Sequence, residues 1–338
     1  MEISEQAKQL HAKAIIYDGH NDSFIEHWAR REPMEIVGEW PEYHVDLPRL
    51  RAGGTTAFNC MVGCGDLFQA IELWDPIFQH VRNYPDDFLL ALEPEDIERA
   101  KAENKIGLVP QVECCAFMNR SLRILRVLYE LGLRVAILTH GEPDPDGLRS
   151  PDISARFCEP ADRERARRDY LGLTEFGKAA VKEMNRLGIV VDLAHNKDAA
   201  YYEAIELSET PVVFSHGNCF TLSHHWRNLT DDQLKVLRDH GGVIGISCPR
   251  RFIAEDEENR TFDRYIDHIE YAMDLIGDDH VGYGSDFDGT TNPIPPDPTY
   301  QPQITQKLLD RGFSEATILK FWGGNFLRVF RQVRQAAE

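Results

Sequence analysis

The sequence predicts an α/β protein, a (β/α)8 barrel of the TIM type with inserted βα loops, and three observations carry that expectation. Eight short apolar runs rich in Val, Ile and Phe recur along the chain, stretches of helical periodicity lie between them, and glycines stand at several helix-to-strand junctions. A length of 338 residues suits one such barrel carrying insertions. No internal repeat or low-complexity linker marks a boundary, so residues 1–338 read as a single domain. A doubly wound open sheet is the competing architecture, because a count of strands does not prove closure.

In chain order the runs are AIIYDG from Ala14, TAFNCM from Thr56, GLVPQVE from Gly107, RVAILTH from Arg134, IVVDLAH from Ile189, VVFSH from Val212, GVIGIS from Gly242 and VGYGSD from Val281. Between them DLFQAIELWDPIFQHVRNY, SLRILRVLYELG, TEFGKAAVKEMNRLG and TDDQLKVLRDHGG place apolar residues at three- and four-residue intervals, as amphipathic helices do. Gly132, Gly188 and Gly241 stand just ahead of an apolar run, where a left-handed cap stops a helix. The Pro- and Asp-rich segment from Gly141 to Arg167 reads as a long βα loop after the fourth strand, and DGTTNPIPPDPTYQP as another after the eighth.

A hydrophobic fraction of 42% with 28% charged residues is that of a globular chain able to bury a substantial core. Fifty-six acidic against thirty-seven basic side chains give a net charge of −19, which repels phosphate backbones and anionic lipid. Nucleic acid and membrane are therefore not expected partners. The N-terminal MEISEQAKQLHAKAII has acidic residues where an export signal needs positive charge, and no run of about 18 apolar residues occurs, so a cytoplasmic location is expected. Seven scattered cysteines do not resemble a disulfide framework; Cys114 and Cys115 read as buried small hydrophobes.

In barrels of this class the active site lies at the carboxyl ends of the strands, so polar residues that end the apolar runs are the candidate functional groups. The first run leads into DGHND, the third ends in Glu113, the fourth in His140, the fifth in His195, the sixth in His216 and the eighth in Asp286. One such histidine is commonly structural. Six polar strand ends around one axis are different, because closure brings His20, His140, His195 and His216 together with Asp22, Glu113 and Asp286. His20 and Asp22, two apart in an extended segment, face one side and can meet one cation. Imidazole nitrogen and carboxylate oxygen suit zinc and similar divalent metals. His20, Asp22, Glu113, His195 and His216 exceed what one four-coordinate ion uses, so two ions are the economical reading, with Glu113 the natural bridge. Asp18, Asn21 and Asp288 read as supporting groups.

These residues fall within an ordered series of motifs: DGHND at 18–22, LTH at 138–140, LGLTEFG at 171–177, VDLAH at 191–195, FSH at 214–216, RNLTDDQL at 227–234, GYGSDFDG at 282–289 and GGNFLRVF at 323–330. The series resembles the renal or membrane dipeptidases, a branch of the metal-dependent amidohydrolases, over nearly the whole chain. The resemblance implies that His20 and Asp22 hold one zinc ion, that His195 and His216 hold the other, and that Glu113 bridges them. It implies a metal-bridging hydroxide that cleaves the amide bond of a small dipeptide, with Glu113, His140 and Asp286 as catalytic groups. Under it His140 contacts the substrate near the scissile carbonyl, Asp286 sits beside the reactive water, and Arg227 pairs with the substrate's terminal carboxylate. Read alone, Arg227 would be a solvated surface residue, although its fork suits a carboxylate. A homodimer is implied as well.

The sequence departs from the family pattern at Cys114 and Cys115, where small glycines usually follow the bridging glutamate, and along Arg149 to Tyr170. Those departures keep open a related amidohydrolase acting on another small amide or lactone, such as an N-acyl amino acid or a β-lactam. A catalytically silent metal-binding barrel is the alternative from a different class; it predicts a missing ligand, and no ligand position is missing.

Overall fold

Each of the eight apolar runs becomes a strand, and a ninth strand joins them. In a computed structural model that describes residues 2–63, 66–140, 172–196 and 198–338, the strands are β1 (Ile16–Asn21), β2 (Thr55–Met61), β3 (Phe88–Leu90), β4 (Ile106–Glu113), β5 (Val135–Ile137), β6 (Val190–Asp192), β7 (Val213–Gly217), β8 (Val243–Ile246) and β9 (Val281–Tyr283). All pair in parallel, in the order β1-β2-β4-β5-β6-β7-β8-β9. The added β3 pairs with Ile106–Leu108 of β4, whereas β5 pairs with Gln111–Glu113 farther along. Its run FLLAL, rich in Leu and Ala and without a β-branched residue, reads as readily as helix.

Closure excludes the open sheet. A parallel bridge joins Asn21 to Phe287, with Asp22 N donating to Phe287 O at 2.9 Å and Asp286 N to His20 O at 3.2 Å. The last and first strands of the ring thus meet at a short seam beside the residues that the sequence marks as functional.

The amphipathic segments form helices over Leu67–Asn83, Leu122–Glu130, Glu175–Leu187 and Asp231–Asp239. Gly188, at φ 75°, is a left-handed cap, a conformation that costs glycine nothing for want of a Cβ. The loop expected between Gly141 and Arg167, and the departure along Arg149 to Tyr170, lie outside the described residues. Among the described residues no helix is long and apolar enough to cross a membrane.

Period-two alternation sorts the barrel interior into layers. Tyr17, Ala57, Val109, Val135, Val190, Val213 and Val243, one from each of seven ring strands, pack with Phe326 and Phe330 of the C-terminal helix Asn325–Ala336 to form an apolar floor. Gly19 admits the Phe326 ring, which would stand 2.8 Å from a Cβ there. Two residues farther along their strands come Asn59, Gln111, Asp192 and Ser215, all buried. This polar layer supports the carboxyl-end face.

Near the amino ends of the strands, buried His11 links the N-terminal helix Glu5–Lys13 to its neighbours. Its Nε2 lies 2.7 Å from Gly53 O and its Nδ1 2.7 Å from Thr305 Oγ1, which accepts from Trp322 Nε1 at 2.8 Å. Only a neutral ring with its proton on Nε2 can donate to the carbonyl and accept from the hydroxyl. Burial pushes the His11 pKa down from 6.5 to about 4. The unfolded chain therefore takes up a proton between these values that the native protein refuses, so stability is full above pH 6.5 and falls as the pH drops toward 4. We expect the stability gap between the wild type and His11→Asn to narrow by on the order of 3 kcal/mol from pH 7 to pH 4. Denaturant unfolding at both pH values measures it, and a constant gap would show that His11 does not titrate.

Candidate active site

The strand ends deliver the candidate groups to one place. His20 lies in β1 with Asp22 just after it, Glu113 ends β4 and His216 lies within β7. His140, His195 and Asp286 follow the last residues of β5, β6 and β9 in short segments. His195 at φ 68° and Asp286 at φ 60° are left-handed, as are Cys114 at φ 122° and Asp288 at φ 66°. For residues with a Cβ this conformation costs about 1–3 kcal/mol and persists only where the surroundings enforce it. Here the turns re-aim side chains at the barrel mouth.

Donor spacing tests whether these groups fit metal. Two ligands at about 2.0–2.1 Å from one tetrahedral zinc stand about 3.3 Å apart. His20 Nε2 is 3.4 Å from Asp22 Oδ2 and 3.5 Å from Glu113 Oε1. On the other side Glu113 Oε1 is 3.0 Å from His195 Nε2 and 3.6 Å from His216 Nε2, and the two ring nitrogens are 3.1 Å apart. Glu113 Oε1 thus closes a triangle of metal-ligand size with His195 and His216, and it stands at the same spacing from His20 Nε2, which in turn faces Asp22. His140 joins Glu113 and His195, and Asp286 joins His20 and Asp22, with their ligand atoms within 4.8 Å of one another. His20 Nε2 and Asp22 Oδ1 are buried without a hydrogen-bond partner, as expected of atoms that complete their contacts through a cation. The residues fit a divalent metal centre.

The electrostatics agree. Burial pushes His195 and His216 well below 6.5, leaving bare nitrogens that can act as ligands. Burial opposes the His20 imidazolium, yet Asp22 and Glu113 outweigh it and hold its pKa well above 6.5. Burial raises Glu113 well above its ordinary value, and burial followed by Asp22 lifts Asp286 to about 8. A cation would reverse the pressure on both carboxyls. Arg227, which sequence reasoning alone would leave on the surface, is 2% exposed, and its charge acts on Glu113, His140, His195, His216 and Asp286. Cys114 and Cys115 are buried and unbridged.

Several groups position the site from beneath or beside the strand ends. Gln111 Oε1 meets His20 Nδ1 at 2.7 Å, and Gln111 Nε2 donates to Asp192 Oδ2 at 2.9 Å. Asp18 accepts from Ser285 N at 2.7 Å and from His20 N at 3.3 Å, tying β1 to the segment that carries Asp286. Asp288 accepts from Ser23 Oγ at 2.8 Å and from His44 N at 2.6 Å, anchoring the long loop after β1. Alternation along β4 and β6 could have singled out Gln111 and Asp192, polar residues on the face that buries valines one step below.

Comparison with known proteins agrees with this geometry. The membrane dipeptidase family, peptidase family M19, matches residues 4–338. The chain belongs to that family. A dipeptidase of Aspergillus oryzae is 30% identical to this M19 chain over 98% of its length and 81% of the relative's. Among solved structures, an amidohydrolase from Pseudomonas aeruginosa superposes with a TM-score of 0.78 at 25% identity, covering 97% of this chain and 98% of that one. The probable dipeptidase PvdM from the same organism gives 0.84 at 22% identity, covering 98% of each. The M19 assignment makes the protein a metallopeptidase, a metal-dependent hydrolase.

Gly289 supplies a test of the site geometry. Its φ is not left-handed, so the backbone would accept alanine, but a methyl group would overlap Asp22 Oδ2 and stand 2.6 Å from Asp286 Oδ1. Gly289→Ala should displace the Asp22 carboxylate and weaken divalent-metal binding by about 10–100-fold, with the circular dichroism of the fold retained. Metal titration against a chelating dye reads the effect. Unaltered affinity would mean that Asp22 is not held where a ligand must be.

Proposed function

We propose that this M19 metallopeptidase is a binuclear zinc dipeptidase, with His20 and Asp22 on one ion, His195 and His216 on the other, and Glu113 shared. The observation that carries the reading is the single Glu113 oxygen that faces His20 on one side and His195 and His216 on the other, at spacings suited to tetrahedral zinc. When bound, such ions supply Lewis acidity and a water acidic enough to attack an amide at neutral pH.

The chain's own residues do the rest. Arg227, held between Phe214, Trp226 and Phe252 with its guanidinium carbon 5.6–5.9 Å from their ring centroids, grips the terminal carboxylate of a dipeptide through its fork. His140 is pushed down to about 4, first by burial and then by Arg227, so it meets the scissile carbonyl as a neutral ring whose N–H stabilises the developing oxyanion. Asp286, next to His20 and Asp22, takes the proton of the attacking water and passes it to the leaving amine nitrogen. Burial of the carboxylates and of Arg227, with Asp22, Glu113 and Asp286 less than a tenth exposed, strengthens the interactions they make.

Cys114 favours one further reading. A strained cysteine stands where the family carries glycine, directly beside Glu113, so the pocket wall differs and another small amide or lactone is the second candidate substrate. A panel of dipeptides, N-acyl amino acids and lactones separates the two.

Glu113→Gln removes the shared charge, and metal content and turnover should fall together; elemental analysis beside a dipeptide assay checks this, and a fully active variant with two ions per chain would refute the assignment. Arg227→Ala should cost about 3 kcal/mol, roughly a hundredfold in kcat/KM, against dipeptides with a free C-terminus, with metal content unchanged. The same loss against amidated dipeptides would remove its role as the carboxylate grip.

A further inference from the structure

We propose that Asp192, acting through the Gln111 amide, holds a proton on Nδ1 of His20 and so leaves Nε2 as the nitrogen that meets metal. Both would be positioning residues for the hydrolase. The inference rests on His20 being a metal ligand, as argued above.

The chain of constraint begins at the carboxylate. Asp192 Oδ1 accepts from Ala194 N and Ser215 N, each at 3.0 Å, and Oδ2 accepts from Gln111 Nε2 at 2.9 Å. An ionised carboxylate only accepts hydrogen bonds, so Gln111 must turn its NH2 toward Asp192 and its carbonyl oxygen toward His20. That oxygen lies 2.7 Å from His20 Nδ1, and an acceptor facing a ring nitrogen requires an N–H there. The other nitrogen, Nε2, faces Asp22 and Glu113 at 3.4 and 3.5 Å. His20, Gln111 and Asp192 are each 0% exposed, so water offers none of them an alternative partner. The orientation of a buried amide, which its shape alone leaves two-fold, is therefore set by the charge behind it.

The same carboxylate reaches the second half of the site. Ala194 and Ser215, whose N–H groups fill Oδ1, directly precede His195 and His216. Asp192 thus holds the backbone next to two candidate ligands and the proton of a third.

An isosteric change separates these two roles. Asp192→Asn keeps the shape and an oxygen for Ala194 and Ser215, but it turns an NH2 toward Gln111. The Gln111 amide must then rotate and present its own NH2 to His20 Nδ1, which becomes an acceptor, and the ring proton moves to Nε2, where it blocks the lone pair. Adding Gln111→Glu to that variant restores a group that accepts from both neighbours, so Nδ1 is protonated again.

The experiment compares wild type, Asp192→Asn and the double variant Asp192→Asn/Gln111→Glu. Nitrogen-15 NMR of metal-free, histidine-labelled protein, taken up a pH series until the His20 ring is neutral because Asp22 and Glu113 favour its cation, and with the His20 signals identified by their loss in His20→Ala, reads whether Nδ1 is the nitrogen that keeps the proton. Competition for Zn2+ with a chelating dye reads affinity on the same samples. We expect a protonated Nδ1 in the wild type and a bare Nδ1 in Asp192→Asn, with one of two Zn2+ ions bound about 10–100-fold more weakly. In the double variant both readouts should return toward wild type. A protonated Nδ1 in Asp192→Asn overturns the proposal. So does a double variant that recovers neither readout, since the loss would then come from the backbone at Ala194 and Ser215. A proton that switches while both Zn2+ affinities hold would instead sink His20 as a ligand and leave the amide constraint standing.

Discussion

The Glu113 carboxylate is the point on which the opposing demands of the structure converge. It is 5% exposed, it faces three imidazoles within 3.6 Å, and Asp22 and Asp286 add like charge nearby. Taking such a group out of water costs several kcal/mol unless opposite charge stands beside it. Arg227 supplies one positive charge, and among the nearby imidazoles only His20 is driven toward the cationic form. A divalent cation would answer the remainder, since it would stabilise the carboxylate and suit the bare nitrogens that crowd it. The same crowding that is costly for the polypeptide alone is what suits the site to a divalent metal.

The barrel is graded to support that point. At the floor the interior is valine and phenylalanine, as in any well-packed core. One layer up it becomes Asn59, Gln111, Asp192 and Ser215, and Tyr17 reaches from the floor to donate to Asn59 Oδ1 at 2.7 Å. Above these lie the charged groups. Each layer satisfies the hydrogen bonds of the next, so the charged rim rests on fixed dipoles instead of on apolar side chains that could not orient it. Backbone strain at Cys114, His195 and Asp286 is sustained in the same way, by a scaffold that leaves those turns no freedom.

Much of this was legible in the sequence, and what was not has physical reasons. Parallel strands are apolar runs and their crossover helices are amphipathic, so the eight ring strands and the helices Leu67–Asn83, Leu122–Glu130, Glu175–Leu187 and Asp231–Asp239 could be read from hydrophobic pattern. β3 could not, because its Leu- and Ala-rich run reads as readily as helix, and neither could closure, which depends on the backbone bridge at Asn21 and Phe287. The seven polar groups at the strand ends interrupt apolar runs and so stand out, and the structure brings all seven together. Gln111 and Asp192 sit inside their apolar runs, where one polar residue looks like an exception, not a function. Arg227 is the opposite case, since nothing in HHWRNLTDD points inward and only the resemblance to a family drew it to the site.

The seam between β9 and β1 has a consequence for how the protein comes into being. Asp22 and His20 lie on one flank of that seam and Asp286 on the other, at opposite ends of the polypeptide. A growing chain that has made its first ring strands can pair β1 with β2 on one edge, but the other edge of β1 has no partner until the final ring strand emerges. The last of the seven clustered polar groups thereby arrives in the same event that removes the ring's last unpaired edge.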